Sequence, residues 1–220
     1  MRKTVLMAAL LAATPFAASA ADIPMNYTYV EAGYSHLRFD DGEPDTLGGG
    51  YVRGSFAIAE QVYVFGGYSQ VARTERYEDF FQDVDGTSYD LKLKVTYSQP
   101  EIGIGYHMPF TDRLDFTADL AWQRLEFKAK ASIAGESDSD KDHLNIGRIN
   151  LGVRGKPSAR TELWLKAGYV DGSDVEYLYD SQFVGTLGGQ IGFTRTLGLV
   201  GEVQFFDGSR QGMLGLRASF

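Results

Sequence analysis

Three histidines, 29 acidic and 21 basic residues carry whatever side-chain chemistry this chain can perform. Cysteine is absent, which removes disulfides, thiolate nucleophiles and thiolate metal sites. The densest constellation is Asp138-x-Asp140-x-Asp142 followed by His143. Its spacing matches the start of a calcium loop, but His143 stands where the invariant glycine belongs and no glutamate follows at the twelfth position. The expectation is therefore no metal. An Asp142–His143 pair could activate water. No serine motif or second aspartate pair accompanies it, and His36 and His107 fall at opposite ends of their segments. No catalytic residue and no cofactor is expected. Gly48-Gly49-Gly50 and Gly188-Gly189 precede no helix, so neither cradles a phosphate.

A second set of charges is more regular. Glu31, Arg53, Glu101, Asp115, Asp119, Arg148, Arg154, Lys166, Glu202 and Arg217 each interrupt an apolar-polar alternation and share the polar phase. Five acids meet five bases, the composition of an enclosed space that neutralises itself. Glu31, Arg53, Glu101, Asp119, Arg148, Lys166, Glu202 and Arg217 are the expected interior ion network. An ion pair between Glu31 and Arg217, with Glu202 beside them, is expected where the first and last segments meet.

The elements that must position these charges are strands. The dominant period is two: Leu114, Phe116, Ala118, Leu120 and Trp122 alternate with polar partners, as do Leu214, Leu216, Ala218 and Phe220. Ten segments follow, near 26–39, 49–60, 62–74, 91–108, 114–130, 144–155, 161–171, 182–194, 197–206 and 211–220. Eight strands remain an alternative. Short connections alternate with long acidic ones at 40–48, 75–90, 131–143 and 172–181, plus a tight turn at 207–210. The four long connections, with Asp171 at the edge of the last, hold 18 acids against Arg76 and Lys141, which predicts acidic surface loops. Pro100 lies inside the fourth segment, and the apolar phase differs on its two sides, which predicts a bulge or phase change there.

Residues 1–20 read as a cleaved signal peptide: Arg2 and Lys3, a short apolar run, then Ala18-Ser19-Ala20. That leaves 21–220 as one domain. Losing Arg2 and Lys3 takes the net charge from −8 to −10, so nucleic acid is not an expected partner. No later apolar run is long enough for a transmembrane helix. Tyr63, Tyr106, Phe110, Phe116, Phe193 and Phe220 group at the short-turn ends. Phe39, Tyr51, Trp122, Tyr169 and Phe183 group at the long-loop ends, as two interfacial girdles would.

The fold class is thus all-β: a closed, antiparallel, up-and-down transmembrane barrel with both termini periplasmic. With Leu214, Leu216, Ala218 and Phe220 as its last strand, the chain resembles the small bacterial outer-membrane β-barrel superfamily of OmpX-like and OmpA-barrel-like proteins. The stretch Asn26 to Tyr34 is similar to a gammaproteobacterial group discussed as secreted quorum or immune-eliciting factors. The first resemblance implies outer-membrane localisation and an assembly signal in those four residues, read by the barrel-assembly machinery. Outer-membrane lipid and lipopolysaccharide are then the partners, and the barrel is a monomer. The function expected is a non-enzymatic envelope scaffold with a filled lumen. A narrow cation-preferring channel, an adhesin and a secreted signalling factor are the alternatives.

Overall fold

The computed structural model describes residues 25–40, 44–172 and 182–220. The signal-peptide expectation, and the expected loop acids Asp41, Glu43, Asp174, Glu176 and Asp180, lie outside the described residues. Among those described, ten strands form one closed sheet: β1 (Tyr29–Phe39), β2 (Thr46–Ala57), β3 (Val62–Gln82), β4 (Ser88–Thr111), β5 (Leu114–Ile133), β6 (Glu136–Ser158), β7 (Thr161–Gly172), β8 (Gln182–Gly192), β9 (Leu197–Phe206) and β10 (Ser209–Ser219). Each strand pairs antiparallel with its sequence neighbours. β1 pairs with β10 from Tyr29↔Ser219 to Phe39↔Ser209, which closes the barrel.

The faces follow from period two. Val30, Tyr34, Ile102, Ile104, Leu120, Trp122, Ile149, Leu151, Leu165, Leu187, Leu214 and Leu216 lie exposed on the outside. Glu31, Asp115, Asp119, Arg148, Arg154, Glu202 and Arg217 are buried inside. A barrel that exposes its large apolar side chains and buries its charges is the inverse of a soluble one, and lipid is the solvent that this surface matches. The eleven residues of β1, at about 3.3 Å each and a tilt of ~40°, rise roughly 28 Å and cross an apolar band of about 25 Å.

The strands differ in height. β1, β2 and β7–β10 have 10–12 residues, whereas β3–β6 have 20–24. β2 stops pairing with β3 at Ala72, and β7 starts pairing with β6 at Ile146. Beyond those rungs, among the described residues, β3 to β6 continue as a four-stranded sheet that stands above one end of the barrel. This is the far end; the end holding both barrel termini is the terminal end. The segments 75–90 and 131–143, expected as loops, are therefore mostly strand. What remains of them is a turn at 83–87 and a two-residue turn at Ala134-Gly135. In the first turn the Thr87 amide donates to Asp85 at 3.0 Å, and this bond with the Thr87 hydroxyl holds the Asp85 carboxyl below its usual range. In the second, Ala134 and Gly135 both have positive φ, 52° and 86°, the backbone of a type I′ hairpin.

Pro100 produces no bulge. β3 and β4 pair without a shift from Val62↔Tyr106 to Tyr77↔Leu91, with Tyr68↔Pro100 among the rungs. The apolar phase changes because the surroundings do. Ile102 and Ile104 face outward into the lipid zone, whereas Val95 and Tyr97 face the axis above it.

Candidate functional site

The barrel interior is layered. At the far end, Leu37, Leu47, Val71, Tyr97, Leu125, Leu144 and Ile146 form a buried apolar cluster, with Phe39 and Val95 packed against it. These residues sit on the inward phase of six strands, so the cluster is an apolar cap across the lumen.

Beneath the cap lies the ion network. Glu31 bridges two strands: Arg53 Nε donates to Oε1 at 2.6 Å, and Arg217 Nε donates to Oε2 at 2.6 Å. The register sets this up, because Glu31 stands opposite Arg53 on β2 and opposite Arg217 on β10. Arg53 Nη1 also reaches Glu202 Oε1 at 2.7 Å. Glu202 accepts further bonds from Trp164 Nε1 at 2.8 Å and Gln204 Nε2 at 2.9 Å. Arg148 Nη2 meets Glu101 Oε2 at 2.6 Å, Lys166 pairs with Asp119, and Gln123 donates to Glu101. The eight expected network residues thus fall into three linked groups: Glu31–Arg53–Arg217–Glu202, Glu101–Arg148 and Asp119–Lys166. Arg217 also lies over the Tyr29 ring at 3.9 Å and the Trp164 ring at 5.1 Å. Gly188 makes room for Trp164, since a Cβ there would stand 2.3 Å from the indole.

Below this layer Tyr27 plugs the terminal end. Its hydroxyl donates to Asp115 at 2.7 Å. Its ring stacks on His107 at 3.9 Å and on Tyr63 at 4.8 Å, with Arg154 over its face at 4.6 Å. Arg154 Nε in turn donates to Glu162 at 3.0 Å. Glu162 and the Tyr27 stopper were not expected as interior partners; Glu162, the second residue of β7, shares the phase of Trp164 and Lys166 but was not counted in the network. Between the layers, a cavity of about 90 Å³ has Thr117, Arg148 and Asn150 on its wall, room for a few water molecules.

The histidines come nowhere near one another. His107 is inside, beside Asp115. His36 is on the outer face of β1, opposite Gly48 and Gly212. Asp142 and His143 point to opposite faces of β6, and Asp142 Oδ1 accepts the His143 amide at 2.7 Å. Asp138 and Asp140 accept the following amide in the same way. The three aspartates therefore line up along an extended strand rather than wrapping an ion, and the described residues hold no cluster suited to a metal.

The aromatic girdles are partly as expected. Tyr106, Phe110, Phe116, Phe193 and Phe220 are exposed near the terminal end, and Trp122, Tyr169 and Phe183 toward the far end. Tyr63, Tyr51 and Phe39 are not girdle residues: they occupy the inward phase, the first two buried among the interior charges and the third against the cap. Leu214, Leu216 and Ala218 share the outward phase of β10, and Phe220 follows it on the same parity, with Leu214, Leu216 and Phe220 exposed.

The sequence matches no protein-family model. No curated relative matches it. Among solved structures it is similar to the Escherichia coli outer-membrane protease OmpT, at 12% identity over 93% of this chain and 100% of that one, with a TM-score of 0.48. The transport unit of the Escherichia coli autotransporter AIDA-I shares 12% identity over 97% of both chains, with a TM-score of 0.48. Ail, the attachment invasion locus protein of Yersinia pestis, solved with the heparin analogue sucrose octasulfate, shares 14% identity over 88% of this chain and 97% of that one, with a TM-score of 0.45. What the chain has in common with them is the barrel. The assignment as a transmembrane β-barrel of the outer-membrane type rests on its own closed ladder, its apolar outer belt and its buried charges.

Proposed function

We propose that the chain is a non-enzymatic scaffold of the bacterial outer membrane, with both barrel termini in the periplasm and the β3–β6 sheet displayed outside the cell. The observation that carries this reading is the filled interior. An apolar cap, a charge-paired middle and the Tyr27 stopper follow one another along the axis, which suits a strut rather than a passage. Export through the 1–20 leader and assembly through Leu214, Leu216, Ala218 and Phe220 belong to the same proposal, as does a monomeric state. The far-end sheet is the working surface, since function concentrates where a rigid scaffold holds exposed chain.

Two measurements on one preparation test it. Purified protein in planar bilayers is expected to give no discrete conductance steps over many insertions. Whole cells treated with protease are expected to lose the 83–87 turn while the barrel remains. Steady cation-selective steps would favour the channel. Protein found only in vesicle-free culture supernatant would overturn the membrane location.

A further inference from the structure

The far-end sheet is not uniformly acidic; its register sorts charge onto two faces. Positions of one phase carry Glu136, Asp138, Asp140 and Asp142 on β6 beside Phe127, Ala129, Ala131 and Ile133 on β5. The opposite phase carries Arg76, Lys92, Lys94, Lys128, Lys130 and Lys141. These six stand in rows: Arg76 opposite Lys92 and Thr74 opposite Lys94, Lys94 opposite Lys130 and Thr96 opposite Lys128, and Lys128 opposite Lys141. Like charges placed directly across a ladder repel. Among the described residues none of the six takes part in an ion pair. Of the acids on this phase, Glu126 pairs with Arg124 at 3.2 Å, Asp90 accepts the Asp79 amide at the tip, and Glu78 lies beyond Arg76 toward the tip, off the lysine rows. In a chain of net charge −8, six adjacent unneutralised cations form a surface that lacks its anion.

We propose that this cationic face docks the phosphate groups of the glycolipid that surrounds the barrel in the outer leaflet. The inference rests on the outward placement of the far end proposed above. Continuity argues for a lipid-borne anion. The six cations share the outward phase of β3 to β6 with Tyr68, Ile102, Ile104, Leu120, Trp122 and Ile149, so they look sideways over the leaflet and not up into the medium. Height argues for a large headgroup. Lys128 lies six residues beyond Trp122, roughly 15 Å higher at ~3.3 Å per residue and the barrel tilt. A phospholipid headgroup region extends only about 5–8 Å past the hydrocarbon. Phosphorylated sugars of a lipopolysaccharide reach that level.

The test is binding of fluorescent, phosphorylated lipopolysaccharide to the full barrel in zwitterionic nanodiscs. Each cation near an anionic surface is worth about fivefold in affinity. The quadruple variant Lys92→Gln, Lys94→Gln, Lys128→Gln, Lys130→Gln is expected to bind on the order of several hundred-fold more weakly. Should it fail to show the heat-modifiable gel shift of a folded barrel, the pair Lys128→Gln with Lys141→Gln removes one row and is expected to lose about 25-fold. Dephosphorylated lipopolysaccharide should bind wild type as weakly as the quadruple variant binds the intact glycolipid. Asp138→Asn with Asp140→Asn, on the opposite face, should change binding less than threefold. Equal binding of phosphorylated and dephosphorylated glycolipid, or a variant within threefold of wild type, would overturn the proposal. Tighter binding of a free sulfated polysaccharide than of the glycolipid would overturn the lipid source. Cell fractionation separates the two levels: protein absent from the outer membrane that still binds phosphorylated glycolipid refutes the location and leaves the surface standing.

Discussion

Replacing Arg217 by glutamate sets a second carboxylate against Glu31 at the seam where β10 meets β1. Arg217 contacts Glu31 through Nε and Nη2, both at 2.6 Å, and its side chain is only 4% exposed. Removing one partner of a buried pair costs about 3–5 kcal/mol. Glu31 keeps Arg53 at 2.6 Å, so loss of the arginine alone, as in Arg217→Met, belongs near 3 kcal/mol. Glutamate adds repulsion between two carboxylates and should exceed 4 kcal/mol, whereas Arg217→Lys keeps the charge, loses the fork and costs about 1–2 kcal/mol. The charge swap Glu31→Arg with Arg217→Glu should not rescue, because Arg53 would then face another arginine. The assay is the midpoint of the heat-modifiable gel shift, with urea unfolding in detergent as a second probe. The expected order of midpoints is wild type, Lys, Met, Glu, with Arg76→Glu on the far-end sheet close to wild type. Arg217→Glu matching Arg76→Glu, or a swap restored to wild type, would refute a seam held by Glu31 between two guanidiniums.

The two tryptophans report the two faces. Brominated lipid should quench Trp122, 46% exposed on the outer wall, and leave Trp164, 6% exposed within; in Trp122→Phe the remaining emission should be insensitive to bromine, and strong quenching there would invert the assigned phase. Gly188→Ala pushes a Cβ into the Trp164 indole and should break its bond to Glu202, with a shift in Trp164 emission and a loss of about 1–3 kcal/mol; unchanged emission would argue against the close approach. Ala134 occupies a left-handed backbone conformation that costs an alanine about 1–2 kcal/mol. Ala134→Asn should relieve part of that and slow hydrogen exchange at Ile133 and Glu136 several-fold, while no change would speak against the type I′ turn.

The barrel was legible because its lipid zone obeys a strict period. Strand number, inward charges and the outward phase of Leu214 and Leu216 all follow from that one rule. What escaped lies where the rule changes sign. Above the lipid, Leu91 and Leu93 still alternate with Lys92 and Lys94, but the apolar phase now points to the axis. The acids of 136–142 carry the same alternation with no apolar partner to mark it, so a strand reads as a loop. Tyr63 and Tyr51 have the residue type of a girdle and the phase of the interior; phase decides, and residue type misleads. Tyr27 fell inside the first expected segment and on the phase of Glu31, but β1 starts only at Tyr29, and period two says which way a side chain points, not that it closes the lumen.

The sign change along β3 to β6 also sets the depth of the molecule. Below the change, the outward phase is Ile102, Ile104, Leu120 and Trp122; above it, Lys94, Lys128 and Lys130. Sinking the barrel by two rungs would draw Arg124 toward the hydrocarbon, where a buried arginine costs about 2–4 kcal/mol. Raising it would strip lipid from the exposed aromatic ring at its base, Phe110 and Phe116 among them. The barrel therefore has one draught at which it floats, marked on its own strands. A membrane of another thickness must deform to meet that waterline.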